Sequence, residues 1–204
     1  MARAPRKSLA ERAAEKAAVD DPEVVLQAAA RFLEARPRSI AEVRRRLRRA
    51  GYRSDLIEGA IGRLTELGML DDAAFAAQWV ESRDRAHPRG EAALMMELRQ
   101  LGIDAQTIAA TLRARRDAAA TWDAATPPGD APRPPLDDTP PSPDAVAAQK
   151  LLARHARTLD RVADPRLRRQ RAYAMLARNG FDPETCREAS AAIGRAESGD
   201  ADSG

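Results

Sequence analysis

Apolar positions recur along this chain at three- and four-residue spacing, in short runs separated by glycine, proline and capping residues. That spacing predicts helices that each bury one face. Asp21-Pro22-Glu23 supplies an N-cap, a proline at the first helical position and an acid in the first turn. Val25, Ala28, Ala29 and Phe32 mark the buried face of the helix that follows, which must end before Pro37. Ser39 and Glu42 form an S-x-x-E capping box. Ile40, Val43 and Leu47 line the next helix, and Gly51 takes the left-handed position past its end. A third helix is predicted from a cap at Ser54, with Ile57, Ile61 and Leu64 inward and a stop at Gly68. Leu70 and Phe75 flank Asp71 as a hydrophobic staple would, so Asp71 or Asp72 caps a fourth helix that carries Phe75 and Trp79 inward to about Ala86. The turn His87-Pro88-Arg89-Gly90 leads to a fifth helix with Leu94 and Leu98, ending at Gly102. Asp104 caps a sixth, with Ile108 and Leu112 inside.

These helices repeat. Leu47, Gly51, Tyr52, Ile57 and Ile61 recur as Leu98, Gly102, Ile103, Ile108 and Leu112, at a constant offset of 51 that Pro37/Pro88 and Arg38/Arg89 share. A third copy is Leu176, Gly180 and Phe181 with Cys186 in the slot of Ile57, behind helices at about 144–160 and 166–178. Its offset from Gly102 is 78, and the excess of 27 is the length of residues 117–143, a tract of Pro, Ala, Asp and Thr. The expected architecture is all-α: three tandem three-helix repeats in an elongated, curved array. The segments are a disordered basic N-terminal arm or frayed helix over 1–20, repeats over 21–68, 69–116 and 144–193, a Pro-rich disordered insertion over 117–143, and a disordered tail over 194–204. Trp122, at the start of the insertion, either packs on the end of the sixth helix or docks a partner.

Composition agrees with packed helices. Only 3% of residues are aromatic against 44% hydrophobic, so small aliphatic side chains must build the core. Cys186 is the single cysteine, which excludes an intramolecular disulfide and predicts a cytoplasmic protein, and its core slot argues against a reactive thiol. No apolar run approaches the roughly 20 residues that span a bilayer, and no signal-peptide core follows the basic N-terminus. Phosphate loops, dinucleotide fingerprints, nucleophile elbows, paired cysteines and H-E-x-x-H are all absent, and His87 and His155 fall in different repeats. These absences predict a protein without catalytic, cofactor-binding or metal-binding residues.

Charge carries more information than motif. All but three of the 34 basic residues are arginine, the exceptions being Lys7, Lys16 and Lys150. Residues 31–53 hold nine arginines against Glu34 and Glu42, and residues 154–178 hold eight against Asp160 and Asp164. Between them, residues 54–81 set six acids against Arg63. Solvated helix faces explain one such run. Two basic clusters separated by an acidic one predict an elongated partner of patterned charge, either nucleic acid or a nucleoprotein filament. With Val43 and Leu47 inward, Arg44, Arg45, Arg48 and Arg49 project outward. The candidate partner- or phosphate-binding residues are these four with Arg36, Arg38, Arg89, Arg166, Arg168, Arg169 and Arg171.

Three stretches together resemble the RecX family of bacterial recombination regulators: Arg36-x-x-Ser39-x-x-Glu42-x-x-x-x-Leu47-x-x-x-Gly51-Tyr52, then Gly68-x-Leu70-Asp71-Asp72-x-x-Phe75-Ala76, then Glu97-Leu98-x-x-x-Gly102-Ile103. The resemblance covers residues 24–112 closely and 148–193 loosely. The structural motif positions, from caps, staple and repeat, are Ser39, Glu42, Gly51, Leu70, Asp71, Asp72, Phe75, Trp79, Gly102 and Gly180. The resemblance implies three tandem three-helix repeats. It also implies a monomeric, non-enzymatic, cofactor-free protein that lies in the groove of the RecA filament on single-stranded DNA. There it inhibits ATP hydrolysis and strand exchange, and so regulates DNA repair, recombination and the SOS response. The chain departs from the family pattern at His87-Pro-Arg-Gly90, at Asn179-Gly180-Phe181 and in the insertion. A tandem helical protein that binds DNA or RNA directly is the second reading, because basic helix–turn–helix units also read nucleic acid.

Overall fold

The computed structural model describes residues 8–125 and 141–195. Those residues form ten α-helices and no strand: α1 (Leu9–Ala17), α2 (Pro22–Leu33), α3 (Ile40–Ala50), α4 (Ser54–Glu66), α5 (Asp72–Ala86), α6 (Glu91–Gln100), α7 (Ala105–Ala125), α8 (Pro143–Asp160), α9 (Pro165–Arg178) and α10 (Pro183–Arg195). Helices α2–α4, α5–α7 and α8–α10 are the three repeats.

Local signals set most helix ends. The Ser39 hydroxyl accepts the Glu42 N–H at 3.1 Å while the Glu42 carboxylate accepts the Ser39 N–H at 3.2 Å, closing the capping box in both directions. Gly51 then leaves α3 at φ 99°. Asp71 accepts the N–H groups of Ala73 and Ala74 at 2.8 and 3.0 Å, so of the two candidates it is Asp71 that caps α5. Asp104 and Asp182 cap α7 and α10 and also accept the hydroxyls of Thr107 and Thr185, bonds that hold both carboxyls below the usual carboxylate range.

The structure departs from expectation in four places. Within residues 1–20, expected as a disordered arm or a frayed helix, residues 9–17 are a capped helix, α1, begun by a second capping box in which Ser8 and Glu11 exchange bonds at 3.2 and 2.7 Å. Ser54 is the first residue of α4 and not its cap. The cap position belongs to Arg53, which makes no capping bond and instead pairs with Asp20 and Asp55 at 2.6 Å each. Trp79 is half-buried, its indole N–H on Glu97 at 2.9 Å, while Val80 takes the fully buried slot. Residues 117–125, alanine-rich and ahead of the first insertion proline, extend α7. The rest of the insertion to residue 140, the Trp122 side chain and the tail from residue 196 lie outside the described residues.

The chain divides into two compact units, one of residues 1–76 with 99–107 and one of residues 77–98 with 108–204, so the boundary runs through the second repeat. In the first unit Val25, Ala29, Val43, Leu47, Tyr52, Ile57, Ala60, Ile61, Leu64 and Leu70 form one core. In the second, Ala147, Ala148, Leu151, Leu152, Leu159, Ala172, Leu176, Phe181 and Cys186 form another, where burial pushes the Cys186 thiol pKa up.

One clasp occurs twice. In the first unit the Ser39 hydroxyl donates to the Leu101 carbonyl at 2.6 Å, and the Ile40 N–H, an orphan donor of the first turn of α3, is accepted by Asp72 at 2.9 Å. In the second unit, at equivalent positions, the Gly90 N–H donates to the Asn179 carbonyl at 3.0 Å and the Glu91 N–H to Asp144 at 2.9 Å. Each middle helix is thus capped by the first helix of the next repeat and bonded to the turn that ends that repeat's middle helix. The fit is close: a Cβ on Gly102 would stand 2.3 Å from the Ala41 Cβ, and one on Gly180 would stand 2.4 and 2.5 Å from the Ala93 Cβ and N. Gly68 offers a control, since its φ of 68° is equally left-handed but a Cβ there meets nothing within 4 Å. Gly68→Ala should therefore cost only the left-handed strain of ~1–2 kcal/mol, and Gly180→Ala should cost ~1–3 kcal/mol more through the clash. Urea denaturation of the two variants reads the difference, and equal losses would show that the turn shifts freely.

Candidate functional site

The first basic face is the outer side of α3. Ala41, Arg44, Arg45, Arg48 and Arg49 stand at i, i+3, i+4, i+7 and i+8, and together they line a groove of about 350 Å³. Arg44 forms its wall: the guanidinium donates to both carboxylate oxygens of Glu58 at 2.7 Å. That bond raises the arginine pKa and lowers that of Glu58, so both stay charged. Arg48 lies 3.8 Å from the same carboxylate and remains 58% exposed. Arg45 and Arg49 are exposed and form no ion pair among the described residues. Three guanidinium groups are thus presented to solvent beside a fourth that is held in place by, and charge-balanced against, Glu58.

Arg36 and Arg38, also candidate contact residues from sequence, turn to the capping box. Arg36 pairs with Glu42 at 2.8 Å, and Arg38 reaches Glu42 at 3.5 Å while lying over the Phe32 ring at 4.3 Å. In the second unit Arg89 is likewise engaged with the Asn179 side chain and, at 3.5 Å, with Glu97. These three order loops.

The second basic face belongs to α9, which carries no acidic residue. Arg168 does not serve it. The residue is only 8% exposed, and its Nε donates to the Val162 carbonyl at 3.0 Å, closing the loop before α9. Its slot lies four residues before the fully buried Ala172, on the core side of the helix. Arg166, Arg169 and Arg171 are exposed and without ion pairs among the described residues. The two faces are not copies. Superposing Leu47 on Leu176 sets Arg44, Arg45 and Arg48 against Tyr173, Ala174 and Ala177.

Arg115 was absent from the sequence-based assignment. It is 6% exposed and bridges two aspartates, Asp84 at 2.8 Å and Asp144 at 2.6 Å, the same Asp144 that accepts the Glu91 N–H. Burial opposes its charge, but the bonds to Asp84 and Asp144 outweigh burial and raise its pKa. No local pattern marks it, because its partners lie 31 and 29 residues away. Beside it a cleft of about 500 Å³ is lined by Ala77, Val80, Ala114, Val146 and Ala147 together with the charged Glu81, Asp84, Arg115 and Lys150. Among the described residues no three His, Cys, Asp or Glu side chains gather to hold a metal ion, and no helix is long and apolar enough to cross a membrane.

Comparison with known proteins identifies the three repeats. Residues 26–64, 71–112 and 144–189 match, in order, the family models for the first, second and third three-helix domains of RecX. The regulatory protein RecX of Thermobifida fusca is 31% identical over 152 residues, 74% of this chain and 68% of that protein. That of Mycolicibacterium smegmatis is 42% identical over 82 residues, 40% of this chain and 44% of that protein. Matches to the mycobacterial relatives span less than half of their length. The crystal structure of RecX from Lactobacillus salivarius shares the fold, with a TM-score of 0.59 at 19% identity over 83% of this chain and 94% of that one.

Proposed function

The chain belongs to the RecX family, and from that premise we propose that it is a cytoplasmic, monomeric, non-enzymatic regulator that binds the RecA–DNA filament and inhibits its ATP hydrolysis and strand exchange. The observation that carries this reading is the arginine groove of α3, where Arg45, Arg48 and Arg49 face solvent beside the pinned Arg44. Exposed guanidinium groups, Arg45 and Arg49 without an ion pair among the described residues and Arg48 3.8 Å from Glu58, fit phosphates or carboxylates in bidentate geometry. A filament presents both, on its DNA and on its recombinase subunits, at regular spacing.

Reversal of Arg45, Arg48 and Arg49 to Glu tests the reading. All three are exposed, so melting should move little, within about ±0.5 kcal/mol per site. The concentration that half-inhibits recombinase-driven ATP hydrolysis should rise about tenfold or more, equivalent to ~1.4 kcal/mol. Folded variants that inhibit as well as the parent would leave the groove a solvated face. Direct nucleic-acid binding is separated by salt: a bare-duplex binder loses affinity linearly in log salt, whereas a filament binder prefers recombinase-coated DNA.

A further inference from the structure

The chain has few aromatic residues, and one of them is left on the surface of its most one-sidedly charged helix. Tyr52, Phe75 and Phe181 are 7%, 6% and 5% exposed, and Phe32 and Trp79 are half-buried, each against an arginine. Tyr173 is 36% exposed, the most of any aromatic whose surroundings are described. Core burial of such a ring contributes heavily to stability. Here the helix gives Ala172, Leu176 and Arg168 to the interior and turns Tyr173 out.

The neighbours of the ring define the face. Arg166, Arg169 and Tyr173 stand at i, i+3 and i+7, with Gln170 between them, so all lie on one strip about 10 Å long. Both arginines are exposed, neither has an ion pair among the described residues, and α9 contains no carboxylate to neutralise them. Unpaired cations beside an exposed ring suit a strand that offers phosphates and unstacked bases together, which is the chemistry of single-stranded nucleic acid. A duplex supplies the phosphates but keeps its bases stacked.

We propose that the Arg166–Arg169–Tyr173 face of α9 binds single-stranded nucleic acid directly, the arginines holding the backbone and the Tyr173 ring stacking on a base. This extends the filament reading by assigning one face to the strand itself, and the two fail separately. The test uses the full chain and a labelled oligo-dT, without recombinase, followed by anisotropy across a salt series, with an oligo-dT·oligo-dA duplex as control. The parent should prefer the single strand. Tyr173→Phe should retain binding because the π-face remains, and Tyr173→Ala should bind about 5- to 150-fold more weakly, the ~1–3 kcal/mol of one stacked base. Arg166→Glu with Arg169→Glu should weaken binding and flatten the salt slope. Ultraviolet cross-linking should attach the oligonucleotide at Tyr173. Absence of single-strand binding, equal affinity for the duplex, or a Tyr173→Ala variant that folds and binds like the parent would each overturn the assignment. If recombinase inhibition survives that outcome, the filament reading stands alone, and α9 meets protein. If the oligonucleotide binds but recombinase is not inhibited, the strand-binding face stands and the filament reading falls.

Discussion

Replacing Arg115 with alanine is expected to lower the unfolding free energy by about 3–5 kcal/mol, the usual cost of removing one partner from a buried ion pair. The guanidinium is 6% exposed, and its loss leaves Asp144, 14% exposed, facing Asp84 with no intervening cation. Asp144 also accepts the Glu91 N–H, so the defect reaches the first turn of α6 and the clasp built on it. Arg115→Lys should recover only part of the loss. A single ammonium cannot span two carboxylates in the way the Arg115 fork does, with Nε and one terminal nitrogen on Asp84 and the other terminal nitrogen on Asp144. Urea denaturation monitored by circular dichroism reads both variants. A loss below about 1 kcal/mol for the alanine variant would mean that water reaches the pair and screens it as at a surface.

The second large effect belongs to Phe75. It is 6% exposed, in the first turn of α5, with Leu70 at 1% and Ala76 at 0% among its sequence neighbours. Truncation to alanine removes a ring that the surrounding helices can only partly close over, and about 3–5 kcal/mol should be lost. Trp79 should matter less. It is half-buried, its indole N–H is tied to Glu97, and Arg83 lies over the ring at 4.4 Å, so Trp79→Phe should cost roughly the ~1 kcal/mol of one hydrogen bond. Denaturant midpoints order the two. A Phe75→Ala protein that is fully stable but unable to bind a partner would make Phe75 a contact residue and not a core anchor.

Much of the fold is legible because helix starts and stops are decided within four residues. Asp21-Pro22, the Ser39–Glu42 box, the left-handed Gly51 and the Asp104 cap each satisfy backbone groups by local reach, and the structure keeps all of them. The failures have the same scale. Ser8-x-x-Glu11 carries the same signal as Ser39-x-x-Glu42, but the sparse apolar content of residues 9–17 predicts only a mobile arm or a frayed helix. What keeps α1 in place is tertiary: Ala13 packs so closely on Gly51 that a Cβ there would lie 2.7 Å from its carbonyl oxygen, and Lys16 sits 5.0 Å over the Tyr52 ring. At Ser54 a favourable cap residue lost to register, because the repeat places the cap slot at Arg53, the equivalent of Asp104.

The candidate site divides along the same line. From the sequence alone come the all-α class, the three repeats at offsets of 51 and 78, the buried apolar faces and the two arginine-rich stretches, all consequences of periodicity and neighbour chemistry. The family came from the resemblance of three motif stretches, which the matching family models bear out. The tertiary structure alone decided what each arginine does. Arg45 and Arg49 remain open to solvent, Arg44 is pinned by Glu58 14 residues away, and Arg168 points into the core to close its own loop. Arg115 is buried between Asp84 and Asp144. An arginine's reach of several ångströms spans whichever carbonyl or carboxylate the packing brings near. Its fate is therefore set by helices distant in sequence, whereas the helix that carries it is set by the residues beside it.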